Sequence, residues 1–98
     1  MLLVDEEMRI EMVSKEAREL LGFSEKDFKE QKRSFRDLVY FEDFQDFENL
    51  CQTTKLDKLP HEQYLTLVNS NGQRIETISR VRTVPSEKRF LIYLMDVT

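Results

Sequence analysis

The residues able to do chemistry are few. One cysteine, Cys51, and one histidine, His61, are the only thiol and the only imidazole in the sequence. Together they cannot supply the four ligands of a structural zinc site, and no metal site is expected. Cys51 follows Phe44, Phe47 and Leu50 at helical spacing, which makes it a small core hydrophobe rather than a nucleophile. His61 stands just after Pro60 at the start of a strand, a surface position. Glu42 and Asp43 open the longest helix, where carboxylates meet the positive end of the helix dipole. With no His, Lys or metal partner, they do not make an acid–base pair. The last polar candidates are Thr77 and Ser79, two hydroxyls on the inner face of a strand, where polar groups need partners. Either they meet a bound polar ligand, or they bond local backbone and each other. The behaviour of buried hydroxyls in general favours the second. Nothing here makes an enzyme.

The elements that position these residues are strands at both ends and helices between. His61–Val68 is β-branched and apolar enough for a strand. Asn71-Gly72 marks a hairpin, read as a type I′ turn with positive φ at both residues. Arg74–Val84 alternates strictly, Pro85–Arg89 is a polar loop, and Phe90–Val97 is apolar on both faces. Upstream, Leu2–Asp5 and Met8–Val13 form a short hairpin, with Met8, Ile10 and Met12 on one face. Ser14 caps a helix that buries Ala17, Leu20 and Leu21 and stops at Gly22. Ser24 caps a further turn, anchored by Phe23 and Phe28. Gln31–Arg33 connects to a helical turn at Phe35, Leu38 and Val39. The long helix follows, then a charged linker over Thr53–Pro60. Two short strands alone are marginal, so the first hairpin must join the later meander in one sheet with the helices on one face.

Composition limits the function classes. A chain of 98 residues holds one core, and 40% hydrophobic residues with two Gly and two Pro exclude disorder. The net charge of −4 and the lack of a basic run disfavour nucleic acid, which is bound through concentrated positive charge. Leu2-Leu3-Val4 is too short for a signal peptide or a membrane span, so no membrane contact and a cytoplasmic location are expected. A single cysteine fits a reducing compartment. Strands stand at both ends of the sequence, which fits a module of a larger protein.

Four segments resemble the PAS domain family over essentially the whole chain. Arg9–Ser14, running through Ala17 to Glu19-Leu20-Leu21-Gly22-Phe23-Ser24, looks like its strand-to-helix signature. Ser34–Asp43 is similar to its F-x-D-L-(V/I)-H-P-E-D segment, with Tyr40-Phe41 replacing His-Pro. Asn71-Gly72 before a long alternating strand resembles its hairpin, and Asp96-Val97-Thr98 its terminal D-(I/V)-T. The resemblance implies an α+β fold, a five-stranded antiparallel sheet with helices packed on one face. It also implies a sensory and dimerisation role in histidine kinases, diguanylate cyclases or transcriptional regulators.

That family often holds a ligand between helices and sheet. On this resemblance the pocket candidates are Phe35, Leu38, Tyr40, Phe44, Phe47, Leu65, Leu67, Thr77 and Ser79. The ligand is unknown. Flavin is disfavoured because Cys51 lacks the family's reactive-cysteine context, and haem because His61 lies beyond the long helix that supplies the family's axial ligand. Tyr64, Val68, Ile78 and Tyr93 are the interface candidates on the outer face, beside Glu76, Arg80 and Arg82, because an apolar patch there marks a contact surface. Asp96 and Thr98 are the signal-transmission candidates. The expected partners are a second copy, meeting the outer face or flanking helices, and an output domain in the same chain. The alternative is a ligand-free dimerisation domain with a filled core.

Overall fold

The computed structural model describes residues 1–27, 33–84 and 87–98. Phe28, expected as an anchor, lies outside them, as do parts of the expected connectors at 31–33 and 85–89. Five strands form one antiparallel sheet: β1 (Leu2–Asp5), β2 (Ile10–Val13), β3 (His61–Val68), β4 (Arg74–Val84) and β5 (Arg89–Asp96). Their spatial order is β2-β1-β5-β4-β3, so the last strand in sequence is the central one. Between β2 and β3 lie helices α1 (Lys15–Leu21) and α2 (Phe44–Asp57) and 3-10 turns at Phe35–Leu38 and Phe41–Asp43.

Alternation along the strands builds the core. Ile75, Thr77, Ser79 and Val81 of β4 are buried, as are Leu65 and Leu67 of β3 and Phe90 and Ile92 of β5. Leu21, Phe35, Leu38, Phe47 and Leu50 cover them from the helical side. Phe35 and Phe47 meet with ring centroids 5.4 Å apart, tilted at 41°, an arrangement aromatic quadrupoles favour.

Helix α1 ends as its sequence requires. The Ser14 hydroxyl accepts from the Ala17 amide at 3.2 Å, and Gly22 turns the chain out with φ +74°. A side chain there would be strained by that φ, and its Cβ would come within 2.7 Å of the Ser70 hydroxyl. Ser24 and Asp27 then cap each other's amides, the reciprocal pairing that opens a helical turn.

Three expectations need correction. Strand β2 begins at Ile10, and Met12 faces outward, because a register shift against β1 pairs Leu3 with Met12 but Val4 with Ile10. The extra residue reverses the alternation. The β3–β4 turn is not type I′, since only Gly72 has positive φ. The Asn69 side-chain oxygen accepts the Asn71 and Gln73 amides, each at 2.9 Å, and holds a five-residue loop instead. Helix α2 runs to Asp57 rather than stopping before Thr53. Thr54 faces the core, and its hydroxyl donates to the Leu50 carbonyl at 2.8 Å, so a β-branched polar residue is accommodated inside the helix. Asp43 stands at the N-cap of α2, as expected of a residue that opens the helix, but its side chain makes no cap hydrogen bond. Its carboxylate accepts the Thr66 amide at 2.7 Å.

That last contact matters for the sheet. Strand β3 is an edge, and an unpaired edge invites non-specific pairing. Thr66 gives its amide to Asp43, its carbonyl accepts the Tyr40 amide at 2.9 Å, and Val39 bridges to Leu67. The chain thus covers its own edge at Thr66 and Leu67. The opposite edge is closed likewise where β2 begins, through Ile10 to the Arg33 carbonyl and Phe35 to the Met8 carbonyl.

Candidate functional site

Two surfaces of the sheet are candidates, and they differ in kind. On the inner side, Phe35, Leu38, Phe47, Leu65, Leu67, Thr77 and Ser79 come together, all fully or nearly fully buried. Tyr40 and Phe44 do not join them. The Tyr40 ring is half-buried at the β3 edge under the Arg74 guanidinium, whose carbon lies 4.1 Å from the ring centroid, and its hydroxyl accepts from Arg74 at 2.6 Å. Phe44 is 44% exposed at the start of α2. Expecting both in a pocket was an error of position: helical spacing from Phe47 does not register that the preceding segment is drawn to the sheet edge by Asp43.

The inner hydroxyls can be accounted for proton by proton. Thr77 lies 2.9 Å from the Leu65 carbonyl, which can only accept, so the Thr77 proton goes there. Ser79 lies 2.9 Å from the Thr77 oxygen, so Ser79 must be the donor of that pair. Both protons are used within the sheet, and only lone pairs remain on this face.

Cys51 is buried at the base of α2, where desolvation first and the Glu48 charge second push its thiol up to about 12. A thiol so rarely ionised is no nucleophile. His61 opens β3 with Nε2 2.7 Å from the Asp57 carboxylate, a surface pair. Among the described residues no three metal-ligating side chains cluster, and no helix is long and apolar enough to cross a membrane.

The outer side is open and shaped. Pro60, Glu62, Ile78, Arg80, Arg82, Tyr93, Leu94 and Met95 line a concavity of about 440 Å³. The strand register explains the assembly: Ile78 stands between Met95 on β5 and Tyr64 on β3, and Arg80 between Tyr93 and Glu62. Tyr64, Tyr93 and Met95 are 50%, 40% and 61% exposed. Val68 is half-buried at the far end of β3. Beyond the concavity Leu91 pairs with Leu3, and Leu3 with the exposed Met12, so apolar surface continues over the sheet.

This face is tied to the C-terminus through Glu76. Its carboxylate, beside the Tyr64 phenol, raises that group's pKa. Its backbone amide donates to the Thr98 hydroxyl at 3.2 Å, and its carbonyl accepts the Val97 amide at 2.9 Å. The Thr98 amide donates in turn to Asp96, and that bond holds the Asp96 carboxyl below its usual range. Sequence reading placed Asp96 and Thr98 at the exit but missed Glu76 as their anchor, because the link runs across 22 residues.

A family model for the PAS domain matches residues 1–98. Among solved structures, a Trp-to-Ala variant of the Drosophila melanogaster Cycle PAS-B domain with bound glycerol superposes with a TM-score of 0.80. It is 12% identical, over 98% of this chain and 99% of that one. The wild-type Cycle PAS-B with bound ethylene glycol gives 0.75 at 12% identity, over 97% and 100%. The PAS domain of an HTR-like protein from Haloarcula marismortui gives 0.77 at 16%, over 98% and 78%. At such identities the likeness is one of fold. No curated protein matches the chain.

Proposed function

The chain belongs to the PAS domain family, and from that premise we propose that it is the sensory and interaction module of a bacterial or archaeal signal-transduction protein. Its host would be a histidine kinase, a diguanylate cyclase or a transcriptional regulator, with the output domain in the same polypeptide. In this reading the domain is cytoplasmic and non-catalytic, needs no haem or flavin, and meets a second copy or a flanking helix through the outer face of its sheet.

The observation that carries the proposal is the outer concavity beside the C-terminal anchor. Ile78 lies on its floor, two residues from Glu76, whose backbone holds Val97 and Thr98. An occupant that favours one position of β4 and β5 over another therefore biases the direction in which the chain leaves. It can do so only by the difference in its affinity for the two arrangements.

The test is a charge on that floor. Ile78→Glu should leave the circular dichroism spectrum unchanged, because Ile78 is half-exposed, and should abolish regulated output of the full-length protein. A variant that signals normally would sink the proposal.

The second reading, an interaction domain with a filled core and no small ligand, is favoured by the inner hydroxyls, whose protons are already used. A small ligand on the inner face would have to bring its own donors. Native mass spectrometry separates the two: a clean apo mass supports the filled core, and a retained small molecule overturns it.

A further inference from the structure

The outer groove is charged as well as apolar, and its balance is positive, Arg80 and Arg82 against Glu62. Arg80 and Arg82 line it and are exposed, and among the described residues neither side chain has an ion-pair or hydrogen-bond partner. Every other described arginine has an interaction partner. Arg9 pairs with Asp5 and Glu7, Arg18 with Glu25, Arg36 with Glu48, and Arg89 with Glu11 and Glu87. Arg33 stacks on Phe23, and Arg74 stacks on Tyr40. In a chain of net charge −4, two unpaired guanidiniums two residues apart on one face are a local exception.

Building on the interface reading above, we propose that this groove receives an amphipathic helix of a partner protein bearing two carboxylates one turn apart, which pair with Arg80 and Arg82. The spacing fits. Two residues along a strand span about 6.6 Å, and four along a helix rise about 6 Å. The apolar contact fits too. Leu91, Tyr93 and Met95 face outward along β5, the central strand, directly beside the arginines on β4. A helix laid along β5 seats its apolar stripe on those three residues and turns one flank toward β4.

A second copy stacked face to face fits poorly. Both pairs of guanidiniums would then be buried together against only the two Glu62 carboxylates, and uncompensated buried charge is strongly unfavourable. A small anion fits poorly as well, because the apolar strip continues past the groove to Tyr64 on one side and to Leu3 and Met12 on the other.

The experiment uses three labelled helical peptides of about 18 residues, long enough to hold a helix. They share one leucine stripe and differ only in an i, i+4 pair on its flank: Glu, Gln or Lys. Fluorescence anisotropy gives affinity, and amide chemical shifts give location. The Glu peptide should bind about fivefold tighter than the Gln peptide, the scale of two rim ion pairs. Arg80→Glu/Arg82→Glu should reverse the order in favour of Lys, with shifts on β4 and β5 in both cases. Equal affinity of all three peptides on the outer face would overturn the charge selection and leave the interface reading intact. Shifts confined to the helical side, or none, would overturn both. A peptide-resistant dimer through the outer face would overturn the helix alone.

Discussion

At Thr77 the hydroxyl has one proton to give, and the Leu65 carbonyl takes it. Replacing Thr77 by valine keeps the shape and removes the hydroxyl. It strands the Ser79 proton in a fully buried site and removes one of the two donors to the Leu65 carbonyl, which keeps the Thr77 amide across the ladder. The expected loss is about 1–3 kcal/mol, the cost of unsatisfied buried polar groups, seen as a lower urea midpoint with unchanged slope. An unchanged midpoint would mean that the hydroxyl is not spent as described. That Thr77 and Ser79 point inward was legible in the strict alternation of β4. Their partner was not, because Leu65 comes opposite Thr77 only once the β3–β4 register is set. Cys51 gives a second prediction. With its thiol raised from 9.0 to about 12, the neutral form is favoured by folding. The associated stability is complete below about 9 and is lost as pH rises from there through about 12. In the native domain at pH 8, alkylation of Cys51 should therefore proceed only at the rate of unfolding, and in urea it should be rapid. Fast native alkylation would contradict the burial.

Between residue and molecule, the element with most at stake is the β3 edge. It is closed by a loop–strand contact joining residues 23 positions apart, the Asp43 carboxylate and the Thr66 amide. Asp43→Ala should cost about 1–3 kcal/mol, because a charge-assisted bond is lost. The Thr66 amide should exchange its hydrogen faster than its strand neighbours, and Asp43→Asn should restore most of both. Equal exchange in the alanine variant would show that the edge is closed without it. The same contact explains what sequence could not place. Asp43 reads locally as a carboxylate at the helix dipole, and Tyr40 and Phe44 read as pocket lining, until a partner on a distant strand is known. The end of α2 was hidden for another reason: Thr53-Thr54-Lys55 has the composition of a linker, and burial of Thr54 overrides that local preference. The bulge in β2 left no mark in the pattern of Met8, Ile10 and Met12, though it decides which way Met12 faces.

The whole molecule has an inner face whose hydrogen bonds are spent and an outer face whose apolar and charged groups are not. Tyr64 and Ile78 could be placed outside from alternation alone, but Tyr93 could not, because Phe90–Val97 is apolar on both faces and only the β4–β5 register decides which set faces out. The concavity that Ile78 and Tyr93 share with Met95, Arg80 and Arg82 could not be placed either, since it depends on three strands in register. The outer face is the working surface in this account, and exposed aromatics on both sides of the molecule allow a direct comparison. Tyr64 and Tyr93 stand on the outer face, whereas Phe41 and Phe44 are exposed at the start of α2. A photoreactive phenylalanine analogue at each position in turn, in the full-length protein in its native cell, reports what each surface touches. Crosslinked adducts from positions 64 and 93, with none from 41 and 44, are the predicted result. Adducts from 41 and 44 alone would move the working surface to the helical side and contradict the account.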